Sequence, residues 1–156
     1  METTMDFKHL LTGFDGRIGR KQFWIGILCI VVVSLILLFV LAAILPSSLA
    51  SVVGMLIVLY PAAAIYAKRL QDRNKPITPW LWILLVPGIV YSIMSALGIG
   101  FTEMQIPGQP PAMVPSGMIG YAATTVVSLI GLWALIELGF LKGTDGPNEF
   151  GADPTN

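Results

Sequence analysis

Residues able to do acid–base or ligand chemistry are scarce in this chain. There is one histidine, His9, and one cysteine, Cys29. A single cysteine excludes an internal disulfide framework and a cysteine-rich metal site, so Cys29 reads as a small apolar lining residue. Metalloproteases need two histidines one helical turn apart beside a glutamate, and serine hydrolases need a serine on a glycine-flanked elbow. Neither His-Glu-x-x-His nor Gly-x-Ser-x-Gly occurs, and there is no Cys-x-x-Cys. Gly13, Gly16 and Gly19 with Arg17, Arg20 and Lys21 offer glycines and cations, but not at the spacing that cradles a nucleotide phosphate. Neither a metal nor a cofactor is expected.

Two carboxylates call for individual weighing. Glu137 lies about one turn from the end of an apolar run, where it can reach the interface or meet Lys68, Arg69 or an arginine of the N-terminal segment. A proton-coupling role would need it deeper and beside other titratable groups. Asp72 follows Arg69 by three and precedes Arg73, so local charge balance accounts for it without catalysis.

The elements that position these groups follow from composition. Of 156 residues, 55% are hydrophobic and 12% charged, with a mean hydropathy of +0.79; soluble domains are about 25% charged. A water-soluble core of this size cannot hide so much apolar surface. Four apolar runs read as membrane-spanning helices at about residues 23–45, 49–67, 80–99 and 118–141, within a single domain over 1–156. The first is too long for the roughly 7–15 apolar residues of a cleaved signal. Pro46-Ser47-Ser48 makes a tight turn, and the segment Gly100 to Pro115, with four prolines, reads as an irregular outer loop lying on the membrane surface or on helix ends.

All nine lysines and arginines fall in the N-terminal segment, in Lys68 to Lys75, or at Lys142. The two opposite connectors carry none. Because basic residues stay on the cytoplasmic side, both termini are expected there, with residues 1–22, 68–79 and 142–156 cytoplasmic. Met5 to Phe14 places Phe7, Leu10, Leu11 and Phe14 at three- and four-residue spacing, the pattern of a short amphipathic helix in the interface. Trp24, Tyr66, Trp80 and Trp82 fit an inner aromatic belt, with Phe101 and Tyr121 near the outer one. The expected partners are the lipid bilayer and the anionic headgroups facing the basic residues. No nucleic-acid partner is expected, because those residues hug span ends and form no extended face.

Small residues recur at helical spacing in the last two spans: Gly88, Ser92, Ala96 and Gly100, then Gly120, Thr124, Ser128 and Gly131. Such stripes let helix backbones approach in lipid. A seam within the monomer, a homo-oligomer face and a solute path all fit. Pro61 and Pro87 sit at similar depth and suit either packing kinks or the broken helices of a carrier.

Three blocks carry a further signal. Phe14-Asp15-Gly16-Arg17-Ile18-Gly19-Arg20-Lys21-Gln22-Phe23-Trp24, then Lys68-Arg69-Leu70-Gln71-Asp72-Arg73, then Gly143 through Gly146-Pro147-Asn148-Glu149-Phe150-Gly151-Ala152-Asp153-Pro154 resemble, in order, the blocks of small bacterial inner-membrane proteins grouped as domain-of-unknown-function family eight hundred and five. The family pattern has Arg-Leu-His-Asp followed by Ser-Gly-Trp-Trp; here Gln71 replaces the histidine and Pro76-Ile77-Thr78-Pro79-Trp80 replaces the serine and glycine. The resemblance implies a helical inner-membrane protein and no established activity. Since all three blocks fall on the basic side, Arg17, Arg20, Arg69, Asp72, Asn148 and Asp153 are expected to meet in one polar cluster, either a structural clasp or a docking surface for a lipid headgroup or protein partner. The expected role is non-enzymatic, an interaction or structural component of the inner membrane. A small-solute or ion carrier, oligomeric or not, and an enzyme acting on lipid are the alternatives.

Overall fold

A computed structural model describes residues 6–154. Met5 of the expected interfacial helix, and Thr155 and Asn156 of the tail, lie outside the described residues. The chain runs α1 (Phe7–Thr12), α2 (Arg20–Ile44), α3 (Ser47–Asp72), α4 (Ile77–Ala96), a hairpin of β1 (Phe101–Met104) and β2 (Ala112–Pro115), then α5 (Gly117–Ala134), which continues into a π-helical turn, Leu135–Phe140. It is a multi-pass membrane protein. Among the described residues four helices are long and apolar enough to cross a bilayer, and α2, with 25 residues, is about 37 Å long against a hydrocarbon core of about 30 Å. Large side chains such as Leu28, Leu35, Phe39, Ile44 and Leu56 face outward. In water that surface would drive aggregation; in lipid it is simply solvated.

Each helix starts and stops for a local reason. Asp6 caps α1 by accepting the His9 N–H at 3.1 Å, and at the start of α2 the Gly19 N–H donates to Gln22 Oε1 at 3.0 Å. Leu45 (φ −129°, ψ 150°) and Pro46 (φ −55°, ψ 145°) are both non-helical and separate α2 from α3. In α4, Thr78 is extended (φ −95°, ψ 130°) because the residue before a proline is pushed out of the helical region, and the regular helix begins beyond it.

Helix α3 packs against α2 and α4, α4 against α5, and the π-helical turn against α2. The buried core therefore gathers at one end, where Phe23, Ile65, Leu70 and Leu138 meet Leu10 and Ile18 of the N-terminal segment. All nine basic residues lie at that same end of the bundle.

Two features depart from the expected layout. The loop after α4 is a two-stranded antiparallel hairpin, with Phe101 opposite Pro115 and Met104 opposite Ala112. Its prolines sit in the connecting turn and at the strand end, where no ladder donor is needed. Phe101 is buried, its ring 4.9 Å edge-on from Tyr91, so it anchors the hairpin and does not belong to an outer aromatic belt. Helix α3 also runs on to Asp72, past Ala67, carrying Lys68, Arg69 and Asp72 into the interior.

The small-residue stripes divide on inspection. Nothing lies within 4 Å of a Cβ built on Gly88 or Gly131. Gly100 (φ +76°) and Gly120 instead bring backbone against backbone, and a Cβ on Gly120 would land on the Gly100 carbonyl oxygen. That carbonyl accepts the Ser116 N–H at 2.8 Å, closing the hairpin onto α5. Gly120→Ala is expected to destabilise the fold by about 1–3 kcal/mol through overpacking that no side-chain rotation relieves, whereas Gly131→Ala costs nothing measurable. Thermal unfolding of both variants in one detergent checks the contrast.

Candidate functional site

The site grows from the last turn of α3. Arg69 and Asp72 are three residues apart and so share a helix face, and their side chains are almost wholly enclosed. Gly16 (φ +87°) turns the chain entering α2 so that Arg17 reaches the same carboxylate. Asp72 Oδ1 accepts from Arg17 Nε at 3.1 Å and faces Arg17 Nη2 at 3.0 Å, while Oδ2 is bonded by Arg69 Nη1.

One carboxylate cannot offset two guanidinium groups, and carbonyl dipoles supply the rest. Arg69 Nε donates to Leu138 O at 2.6 Å and Nη2 to Leu141 O at 2.6 Å, with Nη1 also reaching Ile18 O at 3.3 Å. Those first two acceptors are the end of the π-helical turn, where orphan carbonyls and the negative end of the helix dipole favour a cation. Arg17 binds the tail in the same manner. Its Nη2 donates to Thr144 O at 2.6 Å, and its Nη1 to Gly146 O at 2.7 Å and Gly151 O at 3.2 Å.

The tail is fastened at further points. The Thr144 N–H and hydroxyl both donate to the Asp72 carbonyl at 2.8 Å. Asn148 Nδ2 donates to Gln71 O at 2.9 Å, and Asn148 Oδ1 accepts the Phe150 N–H at 2.8 Å. Asp153 Oδ2 accepts the Gly146 N–H at 3.0 Å. Gly143 lies so close over Asp72 that a Cβ there would coincide with the carboxylate. Arg20 is exposed and donates to Phe140 O at 3.3 Å. A cavity of about 60 Å³ remains beside the cluster, lined among others by Arg20, Asp72, Lys142, Thr144 and Asp153.

The structure thus gathers Arg17, Arg20, Arg69, Asp72, Asn148 and Asp153 at one place, with Asn148 and Asp153 acting on backbone groups and not on the arginines in the contacts just given. Several participants were absent from that set: Gly143 and Thr144, the carbonyls of Leu138 and Leu141, and buried Lys68, which caps α1 by donating to the His9 and Leu10 carbonyls. Carbonyl acceptors leave no mark in a sequence, but Gly143 and Thr144 sit inside the third block. Buried Gln71, at the position of the family's histidine, contributes its backbone carbonyl, and its side-chain Oε1 has no hydrogen-bond partner.

Glu137 forms a second, smaller cluster. It accepts from Lys75 Nζ at 2.7 Å and from Arg73 Nε and Nη2 at 3.2 Å, and Arg73 also donates to Lys142 O. Its partners are therefore not Lys68, Arg69 or the N-terminal arginines. Those cations are already committed to α1, to the π-helical turn and to the tail, while Lys75 is steadied over the Trp80 ring at 4.3 Å. Among the described residues no group of three or more histidine, cysteine or acidic side chains could hold a metal.

Residues 11–152 match the family described as "Protein of unknown function (DUF805)". The chain is also 28% identical over 149 residues to "Uncharacterized protein YiiR" of Escherichia coli strain K12, covering 96% of this chain and 90% of that protein. The same figures hold for YiiR of E. coli O157:H7. No solved structure matches significantly.

Proposed function

The chain belongs to the DUF805 family, and from that premise we propose that it is a non-enzymatic structural or interaction component of the bacterial cytoplasmic membrane, with both termini in the cytoplasm. The polar cluster is its clasp. It ties the C-terminal tail and the α2 entrance to the end of α3, and presents a shaped cytoplasmic face to a membrane protein partner or a second copy.

One observation carries this reading: the donors of Arg17 and the carboxylate of Asp72 are spent on groups of the same chain. A buried carboxylate held by two guanidinium groups has no free lone pair aimed at a substrate proton. The exposed cations Arg20 and Lys21 beside it suit anionic headgroups, and the orientation follows from the basic end. A carrier reading finds less support, because the cavity of about 110 Å³ at Pro61 is walled by Leu11, Cys29, Ile30, Val33, Ile57 and Val58, which offer a hydrated solute nothing in place of its water.

The clasp is tested by cleaving the tail. Hydrogen bonds to a charged group are worth about 1.5–3 kcal/mol each, so Arg17→Gln should raise the open population, and with it the rate of cleavage at Glu149 by a glutamyl endopeptidase in lipid discs, by at least about tenfold. An unchanged rate removes the clasp. Solute flux through vesicles holding the purified protein would instead favour the carrier.

A further inference from the structure

The end of the bundle opposite the clasp holds a groove of about 380 Å³ between α2 and α3, walled by Leu37, Leu41, Ala50, Gly54 and Met55 and roofed on one side by Met113 of the hairpin. Small residues on α3 hollow it out, and the hairpin closes its outer mouth. A groove open to hydrocarbon is filled by whatever the bilayer supplies, and a lipid tail fits an apolar wall without desolvation cost.

The mouth adds selectivity. Glu103 is paired across the hairpin with Met113, and its Oε1 accepts the hydroxyl proton of Ser47, another groove residue, at 2.5 Å. The ladder register therefore places residue 103 opposite a groove residue, and the Ser47 hydroxyl holds its carboxylate at the rim. No charged residue lies between Lys21 and Lys68, and Glu103 is the sole one between Lys75 and Glu137, so among the described residues no lysine or arginine lies at this end to neutralise it. A carboxylate at the interface level beside an apolar slot complements a headgroup whose outermost charge is positive, and it repels one that is only negative.

We propose that this groove binds one phospholipid with a primary ammonium headgroup, phosphatidylethanolamine, its tail along α2 and α3 and its ammonium on Glu103. The site is remote from the clasp and stands or falls independently of it.

The test is native mass spectrometry of the delipidated full-length protein, offered equal amounts of phosphatidylethanolamine and phosphatidylglycerol with identical chains. The expected result is one retained lipid with a preference for the amine of about fivefold, the size an ion pair at an exposed rim supports. N-acetylation of the ethanolamine, which alters only the lipid, abolishes that preference on the unmodified protein. Glu103→Gln does the same, and Ala50→Trp, which fills the groove, lowers retention of both lipids. Equal retention of the two lipids, a preference that survives N-acetylation, loading unchanged in Ala50→Trp, or a second protein copy covering the groove in place of lipid would each overturn the proposal.

Discussion

Asp72→Ala is expected to be among the most damaging single substitutions in this chain, costing about 3–5 kcal/mol, because removing one partner of a buried ion pair leaves the other charge uncompensated. Here two are left. Arg17 and Arg69 both lose their carboxylate inside a cluster whose side chains are 1–3% exposed. The backbone carbonyl of residue 72 still accepts from Thr144, so the tail stays near but unlocked, and cleavage at Glu149 should accelerate together with the loss of stability. Reversible unfolding in mixed micelles, followed by tryptophan fluorescence, measures the first effect. An Asp72→Ala protein within about 1 kcal/mol of wild type would mean that the guanidinium groups are hydrated and the cluster is no clasp.

Arg69→Met should cost a similar amount, about 3–5 kcal/mol, by a different route. The methionine keeps much of the packing volume beside Leu138 but returns none of the donors. Leu138 O and Leu141 O then end the π-helical turn without a cap. That turn also holds Gly139, whose carbonyl accepts the Trp24 indole N–H at 3.2 Å, so loosening it changes the Trp24 environment. A red shift in emission is expected with Arg69→Met and not with Glu137→Gln, whose carboxylate accepts its hydrogen bonds from Arg73 and Lys75 and none from the π-helical turn's cap. Since Asp72 and Arg69 touch, their effects do not add. The double variant should lose less than the sum of the singles by about 0.5–3 kcal/mol, and strict additivity would deny the contact.

Much of this arrangement is legible in the residues because lipid is an undiscriminating solvent. Hydropathy over some twenty residues sets where a helix can cross, and the pinning of Arg17, Arg69 and Arg73 to span ends puts the three blocks on one side. The co-location of the six cluster residues follows from that alone. What stayed hidden is whatever depends on backbone acceptors. Arg17 and Arg69 make most of their bonds to carbonyls, which every residue type has, so nothing in the sequence distinguishes Leu138 or Gly146 as a partner. The helical continuation through Lys68 to Asp72 was hidden for the same reason: charged residues can be buried in a helix only if each finds a partner, and those partners lie about 60–70 residues away in both directions. The hairpin was masked by its prolines, which argue against strands until Phe101 is seen locked against Tyr91.

The central claim is that this clasped, basic end faces the cytoplasm while the hairpin faces outward. It is tested most directly by labelling single cysteines, on a Cys29→Ser background, with a maleimide that cannot cross membranes. Gln109→Cys in the hairpin turn and Glu149→Cys in the tail are both exposed positions. In intact spheroplasts Gln109→Cys should label, and Glu149→Cys should label only after the membrane is opened or inverted. Labelling of Glu149→Cys in intact spheroplasts would contradict the account.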